Sequence, residues 1–123
     1  MVDVLVIDDD EGARKTLTKM LERAGFMVTA VDNGLAALAE LEQQPIRAVV
    51  CDIQLPFLEG GRFYDELSSS YPAMAEKVVF VTGRAPDEEV QELIERSGRP
   101  VFLKPIDRKA LVNAVRSMVE RGP

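Results

Sequence analysis

Val4-Leu5-Val6-Ile7-Asp8-Asp9-Asp10 is the stretch whose reading decides the fold. Four apolar, mostly β-branched residues stop abruptly at three consecutive acids. A short run of this kind reads as a strand buried on both faces, as in parallel sheets. The acids then fall at the strand's C-terminal end, where open α/β sheets bind ligands. Three adjacent carboxylates repel one another, and a cation relieves the repulsion. An oxygen-only donor set favours a hard ion such as Mg2+. Taken alone, the same acids also fit a solvated turn.

Working outward, Ala13, Leu17, Met20, Leu21 and Ala24 fall on one face of a helix predicted over Gly12 to Ala24, and Gly25 stands where a glycine cap is expected. Met27 to Val31 reads as a second strand. Asp32 or Asn33 can cap the next helix, in which Leu35, Leu38 and Leu41 are expected to share a face until Pro45 bars continuation. Arg47 to Cys51 is a third strand ending at Asp52. Leu55 to Gly61 carries Pro and paired Gly and reads as a loop, followed by a helix over roughly Arg62 to Ser69 that Pro72 closes. Val78 to Val81 is a fourth strand, ending at Thr82-Gly83. Pro86 and the acids after it suit the start of a fourth helix, which buries Val90, Leu93 and Ile94 and ends at Gly98. Val101 to Leu103 is the fifth strand, and Asp107 can cap a fifth helix burying Leu111, Val115 and Met118. Strict alternation of strand and helix implies an α/β fold: a doubly wound parallel sheet with helices on both faces.

Four of the five strands thus end in chemically useful side chains: Asp8-Asp9, Asp52, Thr82 and Lys104. A parallel sheet gathers all four ends on one edge. If the strand order is 2-1-3-4-5, strands one and three are neighbours at the switch point, and Asp52 comes beside Asp8 and Asp9. A metal ion and the Lys104 ammonium would make this acidic edge hospitable to a phosphoryl group on a carboxylate oxygen, and the Thr82 hydroxyl could donate to it.

At this point Val6-Ile7-Asp8-Asp9-Asp10, the run from Val50 to Gly60 around Asp52, Val81-Thr82-Gly83 and Phe102-Leu103-Lys104-Pro105 together resemble the signature of the response-regulator receiver domain. The resemblance covers essentially the whole chain, so residues 1–123 are expected to be one receiver domain. It implies a flavodoxin-like (βα)5 fold of order 2-1-3-4-5. It implies Asp52 as phosphoryl acceptor, with Mg2+ held by Asp8, Asp9, Asp52 and the Gln54 main-chain carbonyl. Thr82 and Lys104 would contact the phosphoryl group, Gln54 and Arg84 would modulate its lifetime, and the peptide between Lys104 and Pro105 would be cis. The signal would reach the face formed by the fourth helix, fifth strand and fifth helix.

The sequence departs from the family pattern near its fifth strand. An aromatic residue is common three positions before the lysine. Here that position is Val101, and Phe102 is expected to face the other way by strand alternation. Glu59 stands where Asp is usual. Asp10 and Glu11 suit a helix start better than a ligand set, and Cys51 suits a small buried apolar role.

The bulk numbers narrow the function classes. A chain of 123 residues, 46% apolar, has the size and content of one ordinary domain. A net charge of −6 without a basic run argues against direct nucleic-acid binding. One cysteine permits no internal disulfide and fits a reducing, cytoplasmic setting. Neither a signal peptide nor the roughly 18–20 apolar residues of a membrane span is seen. The resemblance implies a histidine kinase or a histidine phosphotransfer protein as phosphoryl donor, and because histidine is absent here that donor is expected to be another chain or domain. No output domain is recognised, so the receiver is expected to stand alone or to come from a larger protein such as a hybrid kinase. It is expected to act on an unknown downstream protein as a monomer or weak homodimer. Two rival readings remain. A Mg2+-dependent phosphohydrolase would need a second acid two residues after its nucleophile, where Gln54 stands. An unphosphorylated interaction module would have no use for a complete acidic site.

Overall fold

The computed structural model describes residues 2–53, 60–83 and 88–121. Strands β1 (Val2–Ile7), β2 (Val28–Val31), β3 (Ile46–Asp52), β4 (Val78–Thr82) and β5 (Val101–Leu103) form a parallel sheet in the order β2-β1-β3-β4-β5. Around it lie α1 (Glu11–Arg23), α2 (Gly34–Gln43), α3 (Gly60–Ser70), α4 (Pro72–Ala75), α5 (Glu88–Ser97) and α6 (Arg108–Glu120). The fourth and fifth helices anticipated from sequence are α5 and α6. This is the flavodoxin-like, doubly wound arrangement that the alternation of elements implies.

Alternation along each strand splits the core in two. Leu5, Ile7, Val49, Cys51, Val78 and Phe80 pack with Ala37, Phe63, Leu67, Val90 and Leu93 of α2, α3 and α5. Val4, Val6, Ala48, Val50, Val79 and Val81 pack with Leu17 and Leu21 of α1 and Leu111, Val115 and Met118 of α6. The central strands are therefore apolar and fully buried over Val4–Ile7, Ala48–Cys51 and Val78–Val81, because both faces of the sheet are covered there. The same period sends Val101 to the first cluster and Phe102 to the second, so the two lie on opposite faces as expected.

Helix ends follow local chemistry. Asp10, Asn33 and Asp107 cap α1, α2 and α6 by accepting from the main-chain N–H of Ala13, Ala36 and Ala110 at 2.7, 2.8 and 3.2 Å. Gly25 follows α1 with φ 100°, a conformation that costs a glycine least.

Three details differ from the sequence reading. Pro72 opens α4 rather than merely closing α3; proline suits a first helical turn, where its missing N–H has no partner to lose. Gly60 and Gly61, marked as loop by composition, lie at the start of α3, where main-chain N–H groups lack helical partners in any case. Leu35 is exposed, and Ala37 takes the buried position on α2. Two three-residue steps rotate by roughly 120° against the helix period, so Leu35 swings away from the face that Leu38 and Leu41 present.

Candidate functional site

The register places the strand-end side chains on one edge. Ile7 pairs with Cys51, so the following residues, Asp8 and Asp52, emerge side by side at the switch point. Asp52 pairs with Val81, and Thr82 pairs with Leu103, which carries the line to Lys104. Asp8 and Thr82 are fully buried, Asp52 is 5% exposed, and Asp9 is exposed.

Asp8, Asp9 and Asp52 each offer a carboxylate oxygen, all within 4.8 Å of one another. Lys104 Nζ donates to Asp8 Oδ2 at 3.0 Å and lies 3.5 Å from Asp52 Oδ2. Asp8 is held from a second side, since its Oδ1 accepts from the Asp10 N–H at 3.0 Å. Burial alone pushes the Lys104 ammonium down, but the hydrogen bond to Asp8 and the charges of Asp52 and Asp8 outweigh it and leave its pKa above the ordinary lysine value. The amine is thus cationic and fixed between two acids. Lys104–Pro105 is cis, as the resemblance implies.

Three carboxylates against one ammonium leave a formal charge of −2 at the edge, which a divalent cation neutralises. The donor set fits Mg2+: ligands on opposite sides of an octahedral site with bonds of about 2.1 Å stand roughly 4.2 Å apart, inside the 4.8 Å that bounds the three oxygens here.

Neighbouring groups have clear structural roles. Asp10 turns away from the cluster to cap α1, and Glu11 pairs with Lys15 at 3.0 Å. Asp10→Ala should therefore cost about 1 kcal/mol of stability, the usual worth of an N-cap, with Mg2+ affinity unchanged. Urea unfolding and a Mg2+ titration of the variant check this; weakened Mg2+ binding would make Asp10 a ligand after all. Cys51 is fully buried, and its thiol is pushed well up by burial and by the charges of Asp52 and Asp8. Its Sγ lies 3.2 Å from the Asp52 carbonyl oxygen. A thiol kept protonated is a poor nucleophile, so it belongs to the core.

One residue of the site was not anticipated. Arg14 Nη1 donates to the Asp8 carbonyl oxygen at 3.0 Å and ties α1 to the end of β1. Its signal in the sequence was slight, a single cation early in the helix after the acids. Gln54 and Arg84, together with Phe57, Glu59, Pro86 and Asp87, lie outside the described residues.

Residues 4–116 match the response regulator receiver domain. The chain belongs to that family. The receiver is 31% identical over 124 residues to the response regulator receiver protein CpdR of Brucella abortus, spanning 97% of this chain and 98% of that protein. It is also 31% identical to the sensory transduction protein RegX3 of Mycolicibacterium smegmatis, over 99% of this chain but 52% of that protein. Among solved structures, a receiver domain protein from Clostridium thermocellum superposes with a TM-score of 0.85 at 25% identity, covering 98% of this chain and 96% of that one. The signal receiver domain of an HD domain-containing protein from Pseudomonas fluorescens Pf-5 shares the fold, with a TM-score of 0.86 at 21% identity over 98% and 95% of the two chains. The receiver is accordingly a signalling module of two-component systems, in which such domains pair with histidine kinases. Among the described residues, no helix is long and apolar enough to cross a membrane.

Proposed function

We propose that this receiver is a phospho-acceptor switch with Asp52 as the acceptor. A carboxylate oxygen of Asp52 attacks the phosphorus of a phosphohistidine on a partner kinase or phosphotransfer protein. The new O–P bond forms as the N–P bond breaks, and the imidazole leaves and takes a proton from solvent. Asp8, Asp9, Asp52 and the Gln54 carbonyl would hold Mg2+, which when bound supplies positive charge to the phosphoryl oxygens. Lys104 supplies a second positive charge from the other side, and Thr82 supplies a hydroxyl donor. The clustering of three carboxylates within 4.8 Å under the Lys104 ammonium is the observation that carries this reading.

The conformational signal would pass to the α5, β5 and α6 face and from there to a downstream protein. The setting would be cytoplasmic, with residues 1–123 acting as one domain and as a monomer or weak homodimer. Acetyl phosphate with Mg2+ should add one phosphoryl group by intact mass, and omission of Mg2+ should suppress the gain. Full phosphorylation without any divalent ion would remove the metal from the account.

Phosphoryl lifetime is assigned in part to Arg84. A permanently cationic guanidinium that forks onto phosphate oxygens would hold the product and crowd the approaching water. Arg84→Ala should shorten the decay of phospho-Asp52 after donor removal, at equal Mg2+. An equal or longer lifetime would leave Arg84 as a surface charge.

A further inference from the structure

Arg14 stands where local chemistry does not call for a cation. It lies in the opening turns of α1, near the positive end of the helix dipole, where an acid is favoured. It also heads the stripe formed by Leu17 and Leu21, which α1 buries against the sheet. Helical side chains lean toward the helix N-terminus, and this carries the half-buried guanidinium back over the first turn to the end of β1. Sequences break such local rules mainly where a function requires it.

Its partner is the informative feature. Asp8, Asp9 and Asp10 all precede α1, yet among the described residues Arg14 forms an ion pair with none of them. Nη1 donates instead to a neutral group, the Asp8 carbonyl oxygen, at 3.0 Å. That carbonyl belongs to the peptide joining Asp8 to Asp9, which is a rigid plane. Holding its oxygen fixes the Asp9 Cα, from which the Asp9 carboxylate hangs. The other two acids of the cluster have side-chain restraints: Asp8 accepts from Lys104 and from the Asp10 N–H, and Asp52 lies 3.5 Å from Lys104. The Asp9 carboxylate is exposed and has no hydrogen bond or ion pair among the described residues. Its placement therefore depends on its backbone, and Arg14 secures that backbone while leaving the carboxylate open.

We infer that Arg14 is a positioning residue for the cation site: through the Asp8 carbonyl it holds Asp9 for a small octahedral ion and so sets a preference for Mg2+ over Ca2+. This rests on the reading that Asp8, Asp9 and Asp52 hold Mg2+. Mg2+ demands near-ideal octahedral geometry at about 2.0–2.1 Å, whereas Ca2+ accepts irregular shells at about 2.3–2.6 Å. A loosened Asp9 penalises Mg2+ more than Ca2+. The charge of the guanidinium acts in the opposite sense. It repels either divalent ion to a similar degree, so removing charge alone tightens both and leaves their ratio unchanged. Direction and selectivity thus separate positioning from charge.

The test is titration of the full chain with Mg2+ and with Ca2+, each followed by amide NMR shifts, in the wild type, Arg14→Met, Arg14→Lys and Lys19→Met. Arg14→Met removes the donor and should weaken Mg2+ binding roughly tenfold or more, the usual scale for a group that orients a ligand. Ca2+ binding should weaken less, so the ratio of the two affinities falls. Arg14→Lys keeps a cationic donor and should lie between Arg14→Met and the wild type. Lys19→Met, the same charge change further along α1, should leave the ratio as it is. Thermal unfolding without metal confirms that each variant is folded, and Arg14→Lys carries the test if Arg14→Met is not. Mg2+ binding that is unchanged or tighter in Arg14→Met, an unchanged ratio, or equal ratios in Arg14→Met and Arg14→Lys would overturn the inference and leave the metal reading intact. A wild type that binds no Mg2+ would overturn both.

Discussion

Asp52→Asn is expected to fold as the wild type does and to gain no phosphoryl group from acetyl phosphate and Mg2+. An amide oxygen carries no full negative charge and is a far weaker nucleophile than a carboxylate, so the loss should be complete within the sensitivity of intact-mass analysis. The fold should survive for an electrostatic reason. Asp52 is one of three clustered acids, and Lys104, 3.5 Å from it, keeps its shorter 3.0 Å contact with Asp8. Neutralising Asp52 therefore relieves like-charge repulsion while leaving the better ion pair in place. Without Mg2+, the variant should melt no lower than the wild type. A variant that still takes up phosphate at wild-type yield would remove Asp52 from the acceptor role.

The second large effect is on metal affinity. Asp9 is the informative position because it is exposed, so its removal tests ligation with little disturbance of the core. Asp8 is fully buried and engaged by both Lys104 and the Asp10 N–H, so its removal would also take away the shorter of the two ion pairs of the Lys104 ammonium. Substitutions in a metal's outer shell commonly cost about 10–100-fold in affinity, and losing a direct anionic ligand should cost no less. Asp9→Ala is therefore expected to weaken Mg2+ binding at least about tenfold and to shrink the rise in melting temperature that saturating Mg2+ gives the wild type. Titration followed by NMR shifts measures the first effect and thermal unfolding the second. Unchanged affinity would make Asp9 a solvated turn residue.

How much of this was legible in the sequence depends on how local each cause is. The run from Val4 to Ile7 and its sudden end at Asp8 specified a buried parallel strand, and the matching ends at Asp52, Thr82 and Lys104 pointed to the sheet edge on which the structure gathers them. Such signals survive because burial on both faces leaves Val4–Ile7, Ala48–Cys51 and Val78–Val81 no room for a polar side chain. The caps at Asn33 and Asp107 were readable for a similar reason, being side-chain chemistry within three residues.

What escaped depends on tertiary packing. Whether Leu35 or Ala37 faces the sheet turns on the roll of α2, which a row of leucines does not settle. Pro72 satisfies the rules for ending one helix and for starting another, and only the packing of Ala75 under α3 and β4 selects the second. The reach of Lys104 to Asp8, and the tie from Arg14 to the Asp8 carbonyl, join residues whose proximity no local pattern encodes.

On the proposed function a phosphoryl group arrives on one named carboxylate among three that lie together. This is tested most directly on the wild-type chain, by treatment with acetyl phosphate and Mg2+ followed by borohydride. Borohydride reduces an acyl phosphate to an alcohol and leaves free carboxylates unchanged, so the acceptor aspartate becomes homoserine and peptide mass spectrometry locates it. Homoserine is expected at Asp52 alone. Homoserine at Asp8 or Asp9 with Asp52 intact, or no conversion at any of the three, would contradict it.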